Sequence, residues 1–303
     1  MKFSIRTQAL KISVALTLLT GTIVTGVPPL SVIPTAHAAT VSLTQQQQQL
    51  QKQIYSALTA RKASFQITYE GSTEQLEQNI ELAFDDANVQ DPYTINTVID
   101  YAWQAESDGT TSTAIMDVTY RESAEQSAYV HKQVAAALKK IIKPGMNDHL
   151  KVKAIHDWVV TTLKYDETEQ KFTAYEGLTT GSTVCQGYAM LTYDMLKQAG
   201  FETNIVAGYV NKEEAHAWNM VKLDGKWYHL DTTWDDPTPD GGKTFSTDYY
   251  LLTNTQLKQD HRWKMDDYPQ AVTSYNKTVN ALVAKGVKGA KDLRSSLAGN
   301  SEK

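Results

Sequence analysis

The sequence predicts an α+β protein, in which amphipathic helices are combined with antiparallel hairpins. Apolar residues at helical spacing indicate several helices, among them the run that follows residue 185. Two dipeptides, Asp108-Gly109 and Asp224-Gly225, lie between strand-like segments, which is the pattern of a β-hairpin. With 303 residues, 41% of them hydrophobic, the chain can bury a sizeable core in one large or two small domains.

Residues 1–38 have the three parts of an export signal. Basic residues precede the apolar run Ile12–Val27, and Ala36-His37-Ala38 fits the small-x-small rule for cleavage. The basic residues are Lys2, Arg6 and Lys11. The alternative is an uncleaved membrane anchor, but prolines at 28, 29 and 34 break the apolar run, and no cysteine near the cut supports a lipoprotein. Since nothing later has the length to span a bilayer, we expect a secreted or cell-wall-associated protein without stable membrane insertion.

The charge of the chain argues against a nucleic-acid partner. The formal charge is −5, and it becomes −8 once the three cations of the signal peptide are removed. A mildly acidic protein without a basic stripe is a poor nucleic-acid binder. The single cysteine excludes a disulfide within one chain, so stability must come from packing.

Residues 39–143 are predicted as an N-terminal α+β region. A helix is expected within residues 40–63, where Leu50, Ile54 and Leu58 recur at four-residue spacing. The segment Ser64–Tyr69 is strand-like, and Ser72 with Gln75 matches a capping box for a second helix.

The rest of this region is predicted to hold a hairpin and a long helix. Tyr93–Glu106 and Thr111–Arg121 flank the turn signal Asp108-Gly109. The helix is expected to stop at Pro144-Gly145. Its apolar positions are Val130, Val134, Leu138 and Ile141.

Residues 144–268 are predicted as the catalytic core, and residues 269–303 as a polar C-terminal tail with a short helix around Val279–Ala290. Asn147 can cap a helix that ends near Lys164-Tyr165-Asp166. Its inward residues are expected to be Leu150, Ile155, Trp158 and Val159. A polar loop rich in Gly and Thr then leads to Cys185.

Cys185 is the only cysteine in a chain that is expected to be exported, where structural cysteines come in pairs. It is predicted to open a helix that Gly200 terminates, with Tyr188, Leu191, Met195 and Ala199 at helical spacing. The N–H groups and positive dipole end at a helix start favour the thiolate form. The alternative is a buried, inert cysteine.

The turn Asp224-Gly225 predicts that a histidine and an aspartate meet. If these two residues form the loop, Leu223 pairs with Lys226, and the same register sets Trp218 opposite Asp231. Side chains alternate along a strand, so His216 and Asp231 share one face as diagonal neighbours, about 7–8 Å apart at the backbone. A slip of one residue would separate them to opposite faces.

Cys185, His216 and Asp231 together supply a nucleophile, a base and an orienting carboxylate for acyl chemistry. Several weaker alternatives remain open. His229 shares the face and is either a second base or a packing neighbour, and a metal site of His216, His229 and Asp231 lacks the usual ligand spacing. Asp235 and Asp236 precede a proline and are expected in a turn, while Trp218, Trp227 and Trp234 either pack or line a groove.

Transition-state charge in such chemistry requires hydrogen-bond donors. The backbone N–H of Cys185 is the natural first donor, and Tyr165 and Gln186 are candidate side-chain donors. We expect no cofactor.

The sequence resembles the transglutaminase-like superfamily core over roughly residues 148–268. The similarity is carried by three blocks in order: Cys185-Gln186-Gly187-Tyr188-Ala189, His216-Ala217-Trp218-Asn219, and Trp227 to Asp235. Lys164-Tyr165-Asp166, Tyr249-Tyr250-Leu251-Leu252 and Asp260-His261-Arg262-Trp263 extend it. The resemblance implies a papain-like α+β fold, with the cysteine helix packed on an antiparallel sheet, and a triad at Cys185, His216 and Asp231.

The resemblance leaves the reaction open, because the superfamily contains acyl transferases, proteases, amidases and inactive members. The leading hypothesis is an exported enzyme that attacks an amide of a protein or cell-wall peptide through a thioester. The alternative is a non-catalytic envelope-binding or scaffold module. A metal-dependent hydrolase is a third hypothesis, although no calcium-loop pattern is present.

Overall fold

The computed structural model describes residues 24–26, 44–211, 213–236 and 245–297. The chain divides into two compact units, one ending at Ala124 and the other beginning at Glu125. The predicted signal peptide lies outside the described residues, apart from Val24–Gly26, which form strand β1. Within the described ranges no helix has both the length and the apolar character needed to cross a membrane.

The first unit combines three helices with a four-stranded antiparallel sheet. Its elements are β1 (Val24–Gly26), α1 (Gln45–Thr59), β2 (Ser64–Glu70), α2 (Thr73–Gln90), α3 (Pro92–Asn96), β3 (Val98–Ser107) and β4 (Thr111–Tyr120). The strand order is β1-β3-β4-β2, and the helices contribute Leu50, Ile54 and Phe84 to a core against it. The predicted capping box of Ser72 and Gln75 opens α2 as expected.

The predicted strand Tyr93–Glu106 is wrong in its first part, which is the short helix α3. Asp91 accepts a hydrogen bond from the Thr94 backbone N–H at 3.2 Å, and Pro92 occupies the first helical turn. An Asp cap followed by proline starts a helix irrespective of the β-type residues that follow. The strand therefore begins only at Val98.

The second unit begins with helix α4 and contains the elements that build the candidate site. These are α4 (Ala124–Ile141), α5 (Asp148–Thr162), β5 (Lys164–Tyr165), α6 (Ala174–Thr180), β6 (Ser182–Thr183), α7 (Cys185–Gln198), β7 (Thr203–Val210), β8 (Glu214–Leu223), β9 (Lys226–Leu230), β10 (Tyr250–Leu252), α8 (Asn254–Leu257), β11 (His261–Arg262), α9 (Tyr275–Ala284) and α10 (Ala290–Ser296). Five strands form a sheet in the order β10-β9-β8-β7-β11, and β5 pairs in parallel with β6. The chain is thus α+β, as the sequence predicts.

Several predicted features of this unit are confirmed, and two are corrected. Asn147 caps α5, with Ile155 and Val159 buried, whereas Leu150 and Trp158 are only half-buried. The segment predicted as a Gly/Thr-rich loop contains α6, which a capping box of Thr173 and Glu176 opens.

The segment after Pro269, predicted as a tail with one short helix, contains two helices that pack on the unit. The hydroxyl groups of Tyr228 and Thr278 are 2.9 Å apart, and Tyr275 bonds His149 Nδ1 at 3.1 Å. Val279 and Leu293 are buried. Buried apolar residues on one face of each helix explain the packing of a segment whose overall composition is polar.

Candidate active site

The β8–β9 hairpin has the register that the turn predicts. Leu223 pairs with Lys226, and the pairing continues without a slip to Asn219 opposite Leu230. Asp224 and Gly225 have φ values of 49° and 73°, the left-handed conformation that a two-residue hairpin of this type requires at both positions. The turn therefore fixes which side chains of the two strands share a face.

His216 and Asp231 meet through this register. His216 Nε2 lies 2.7 Å from Asp231 Oδ2, and the carboxylate is completely buried. The His216 ring is stacked on Trp218 with centroids 5.8 Å apart, which fixes its plane. The hairpin thus delivers an oriented imidazole whose Nε2 is already committed to a carboxylate.

Asp231 is held as an anion by donors on both of its oxygens. Oδ1 accepts hydrogen bonds from the backbone N–H groups of Thr233 and Trp234, at 2.9 and 3.1 Å. Oδ2 accepts from His216 and also from His261, at 2.7 and 3.0 Å. Burial alone would raise the pKa of Asp231, but the two histidines hold it well below its usual range.

Cys185 is the first residue of α7, as predicted, and its thiol is hydrogen-bonded to His216. Since Nε2 of His216 is committed to Asp231, Nδ1 is the ring nitrogen left for the Cys185 thiol. Burial would lower the pKa of His216, but Asp231 and Cys185 raise it to about 10. The cysteine residue itself is partly exposed.

The start of α7 is packed tightly and lacks a side-chain cap. Val184 occupies the N-cap position and makes no side-chain hydrogen bond to the N–H groups of the first turn. A Cβ on Gly187 would lie 2.8 Å from the Thr173 carbonyl oxygen and would also strike the Thr183 side chain. Glycine at this position therefore lets α7 lie directly against the segment before it.

Tyr165 is held beside the cysteine by the short parallel pair of strands. Tyr165 in β5 pairs with Thr183 in β6, two residues before Cys185. Burial and then the negative charge of Cys185 raise the pKa of Tyr165 above its usual range. Its hydroxyl has no hydrogen-bond partner among the described residues. Tyr165 is thus a neutral phenol whose O–H is available beside the sulfur.

A half-open cavity of about 350 Å³ lies at His216. Its lining combines aromatic and carboxylate side chains: Tyr165, Glu169, Glu214, His216, Thr233, Trp234 and Asp236. Trp234 therefore faces the groove, whereas Trp218 is buried and packs. The volume lies at the lower end of the range of small-molecule sites and admits a side chain of a peptide substrate.

Two histidines that the sequence analysis did not single out belong to this part of the molecule. His261 lies on Asp231, although it comes from β11 at the opposite edge of the sheet, where it pairs with Val210. His156 of α5 bonds the buried Asp235 at 3.1 Å. The predicted turn role of Asp235 and Asp236 is thus incomplete, since both are buried and Asp236 accepts a hydrogen bond from the Tyr188 hydroxyl. Nothing in the local sequence around His261 or His156 reveals these partners, because they depend on tertiary packing.

His229 is a packing neighbour in the structure. Its Nδ1 accepts a hydrogen bond from the Trp218 indole at 3.0 Å, and its Nε2 lies 2.9 Å from Asn254 Oδ1. Burial, together with the nearby His261, lowers its pKa to about 4, so the ring is neutral. Its hydrogen bonds within the described residues go to Trp218 and Asn254, whereas the ring of His216 contacts Asp231.

The metal site that the sequence offers as an alternative includes His229. Both ring nitrogens of His229 are instead hydrogen-bonded, to Trp218 and to Asn254. Within the residues that the structure describes, His216, Asp231 and His261 have potential ligand atoms within 4.8 Å of one another. The hydrogen bonds at 2.7 and 3.0 Å account for this grouping without an ion.

An α+β fold with a cysteine at a helix start, beside a buried histidine–aspartate pair, defines a class of proteins with a papain-like core. Comparison with known proteins shows which family part of the chain resembles. Residues 135–232 match the family model of the transglutaminase-like superfamily. The chain is therefore similar to this superfamily over that segment.

The relatives include kyphoscoliosis peptidase of Mus musculus, 27% identical over 184 residues, and of Homo sapiens, 28% identical over 162 residues. These matches cover 48% and 45% of this chain, but only 28% and 24% of the relatives, so the chain spans about a quarter of their length. The crystal structure of a TGase is 13% identical with a TM-score of 0.34, over 82% of this chain and 75% of that one.

Proposed function

We propose that this protein is a cysteine-dependent enzyme that acts on amide bonds of proteins or cell-wall peptides through a thioester, with Cys185, His216 and Asp231 as its catalytic residues. The observation that carries the proposal is the hydrogen-bonded series from the Cys185 thiol to His216 and from His216 Nε2 to Asp231. A packing role would not require a partly exposed cysteine beside an imidazole that lines a groove.

The first half of the reaction follows from these contacts. His216 accepts the thiol proton, and the Cys185 sulfur attacks the amide carbonyl carbon to give a tetrahedral intermediate. The imidazolium, which Asp231 stabilises, then donates that proton to the leaving nitrogen as the carbon–nitrogen bond breaks. The products of this half are a free amine or ammonia and a thioester on Cys185.

The second half distinguishes hydrolysis from transfer. Water or an amine loses a proton to His216 as it attacks the thioester, and the thiolate leaves with its electron pair. Hydrolysis gives the acid, as a peptidase such as the named relatives would, whereas an amine gives a new amide, as a transglutaminase would. Both outcomes need the same Cys185, His216 and Asp231, so the geometry supports both activities.

Charge on the carbonyl oxygen requires donors near the sulfur. The backbone N–H of Cys185, at the uncapped start of α7, supports the role of first donor. Tyr165 is the best-supported second donor, because it lines the groove and pairs with Thr183, two residues before Cys185. Gln186 is the other side-chain candidate.

We also propose that the protein is exported and acts at or outside the cell wall. The support is the sequence of residues 1–38, with its basic start, apolar run and Ala36-His37-Ala38 site. The N-terminal sequence of protein recovered from culture medium tests this proposal, because cleavage predicts a new N-terminus at Ala39. Retention of residue 1 in a membrane fraction would contradict it.

Mass spectrometry of casein and of purified wall peptides, after incubation with the wild type and with Cys185→Ala, tests the activity. Loss of ammonia with new crosslinks means transfer, and new termini mean proteolysis. The same reactions with a chelator separate a thiol enzyme, which is insensitive, from a metal-dependent hydrolase. His229→Gln is the matched control for His216→Gln, since both change a buried histidine of the same sheet face and only His216 contacts Cys185.

Two results would contradict the proposal. The first is a complete absence of Cys185-dependent products over a broad substrate panel. The second is an iodoacetamide reaction at Cys185 that is no faster than that of a free thiol at pH 6, where an imidazole-paired thiolate reacts and a free thiol is protonated. Both together would favour the scaffold alternative.

A further inference from the structure

The Asp231 carboxylate contacts a second imidazole, that of His261, in addition to the imidazole of His216. His261 Nε2 lies 3.0 Å from the same carboxylate oxygen that His216 Nε2 contacts at 2.7 Å. The centroids of the two rings are 5.4 Å apart, and His261 is completely buried. One oxygen of the carboxylate therefore serves both histidines.

The other nitrogen of His261 also faces a carboxylate. Nδ1 lies 2.6 Å from Asp260 Oδ1, and the second oxygen of Asp260 accepts a hydrogen bond from the Tyr249 hydroxyl at 2.7 Å. A carboxylate oxygen can only accept, so either the ring donates from both nitrogens or Asp260 is protonated. The side chain of Asp260 is 33% exposed, and it already acts as the acceptor for the Tyr249 hydroxyl. The ring of His261 is therefore the group that holds the two protons.

We infer that His261 is a positioning residue: an imidazolium that donates from both ring nitrogens, to Asp231 and to Asp260. It fixes the Asp231 carboxylate and weakens the attraction between Asp231 and the proton of His216. The inference concerns the catalytic base of the proposed function and depends on that proposal for its biological meaning. The charges then alternate along the series from the thiolate of Cys185 to the carboxylate of Asp260.

The titratable groups that surround His261 are consistent with one positive charge on its ring. They are Asp231, Asp260, His216, His229 and Tyr249. His229 is neutral, and the Tyr249 hydroxyl is a donor whose pKa is raised by burial and by Asp260, so neither supplies a competing cation. The remaining contacts of the ring are with the uncharged indoles of Trp218 and Trp234.

A cation at position 261 opposes the charge on His216, because like charges close together disfavour each other. At an effective dielectric constant of about 20, two unit charges some 5 Å apart shift each other's pKa by roughly two units. His216 needs to hold a proton for the leaving nitrogen and then to lose it as a base. A base that is bound too firmly to its proton is slow in the second step, so His261 brings His216 closer to the operating pH.

Two variants remove this charge with little change of shape. His261→Gln keeps an N–H donor that can reach Asp231 but is neutral. Asp260→Asn lets His261 lose its Nδ1 proton, since an amide can donate to that nitrogen. Each variant should raise the pH midpoint of the His216 titration by about one to two units, measured by ring ¹⁵N NMR, which is tractable with seven histidines.

The double variant provides a stricter test. His261→Gln with Asp260→Asn should shift the midpoint no further than His261→Gln alone, because both substitutions act on the same charge. His156→Gln is the matched control: it neutralises another fully buried histidine between two carboxylates, Asp157 and Asp235, without a hydrogen bond to Asp231. It should leave the His216 midpoint within a few tenths of a unit of that of the wild type.

The ring NMR of the wild type decides the inference without any variant. Protons on both nitrogens of His261 at pH 7 support it, and a single proton overturns it. An unchanged His216 midpoint in a folded His261→Gln or Asp260→Asn variant would also overturn it. These results are separate from the test of the proposed function, because a scaffold without any Cys185-dependent product would still show the same ring protonation.

Discussion

At the scale of single residues, His216 links the stability of the fold to pH. Its pKa is raised to about 10 in the folded protein, against about 6.5 for an unperturbed histidine. A raised pKa contributes stability that is fully present below about pH 6.5 and is lost as the pH rises towards 10. The buried pair with Asp231 should therefore stabilise the protein most at neutral and mildly acidic pH.

We expect the free energy of unfolding to fall more steeply between pH 6.5 and 10 in the wild type than in His216→Gln. The difference between the two proteins should shrink by up to about 1.4 kcal/mol per pH unit, because in this range the folded wild type keeps a proton on His216 that unfolding releases. Urea denaturation at pH 6, 8 and 10 measures it. Parallel curves for the two proteins would contradict the assignment.

Substitution of Tyr165 tests whether its hydroxyl is an oxyanion donor. Its hydroxyl lines the groove and has no hydrogen-bond partner among the described residues, so its removal should leave the fold unchanged. If it donates to the developing charge, Tyr165→Phe should lower kcat by about 10²-fold with a small effect on KM. Tyr209→Phe, in an exposed position of the same domain, is the control. Equal kcat for Tyr165→Phe and the wild type would leave the Cys185 backbone and Gln186 as the donors.

Single residues also show why the sequence predicted only part of the site. His216 and Asp231 could be paired from the sequence because a two-residue turn between them sets the register. His261 could not, since it is 30 residues from Asp231 and reaches it only through the pairing of β11 with β7. Local turn chemistry is readable in a sequence, whereas a contact across a sheet depends on the order of its strands.

At the scale of elements, the β8–β9 hairpin carries both His216 and Asp231, so its turn controls the geometry of the candidate site. Gly225 has φ of 73° with open space where a Cβ would lie, and Gly109 in the β3–β4 turn has φ of 93° with the same open space. Valine at either position should cost about 1–2 kcal/mol through backbone strain alone. The two glycines thus offer a matched comparison.

We expect Gly225→Val to reduce the rate of Cys185 alkylation at pH 6, because a displaced turn loosens the His216–Asp231 register. Gly109→Val should lower stability by a similar amount and leave that rate unchanged, since its turn belongs to the first unit. Iodoacetamide alkylation of the single cysteine, with thermal denaturation alongside, measures both effects. Equal alkylation rates in the two variants would show that the β8–β9 turn does not control the geometry of the candidate site.

Elements whose signals are purely local were predicted well, and those that compete with a second signal were not. The helix that begins at Cys185 and the capped helices α1, α2 and α5 follow apolar spacing with clear boundaries. Helix α6 was missed although Thr173 and Glu176 form a capping box, because its small and polar residues lack an apolar stripe. Seven residues give too few turns for periodicity to be visible.

At the scale of the whole molecule, helix α4 marks a difference between the predicted catalytic core and the compact unit. The predicted core begins at residue 144, whereas the second compact unit begins at Glu125 and includes α4. His131 in α4 is 2.9 Å from Asp194 in α7, and Gln198 of α7 donates to the His131 carbonyl oxygen at 3.0 Å. Helix α4 thus contacts the helix that carries Cys185.

Removal of α4 should therefore destabilise the unit that holds the site. Val130 and Val134 are completely buried, and burial of each such side chain contributes about 1.5–3 kcal/mol. A fragment of residues 123–303 should fold and show the alkylation profile of the full chain at Cys185. A fragment of residues 144–303 should lose several kcal/mol of stability and expose the apolar surface that α4 covers.

Urea denaturation and the pH profile of Cys185 alkylation measure both fragments against the full chain. The longer fragment isolates the effect of the first unit, so any loss of reactivity there would mean that this unit supports the site. The shorter fragment then isolates α4. If residues 144–303 were as stable and as reactive as residues 123–303, the predicted boundary would describe the functional core, and α4 would pack on it without supporting the start of α7.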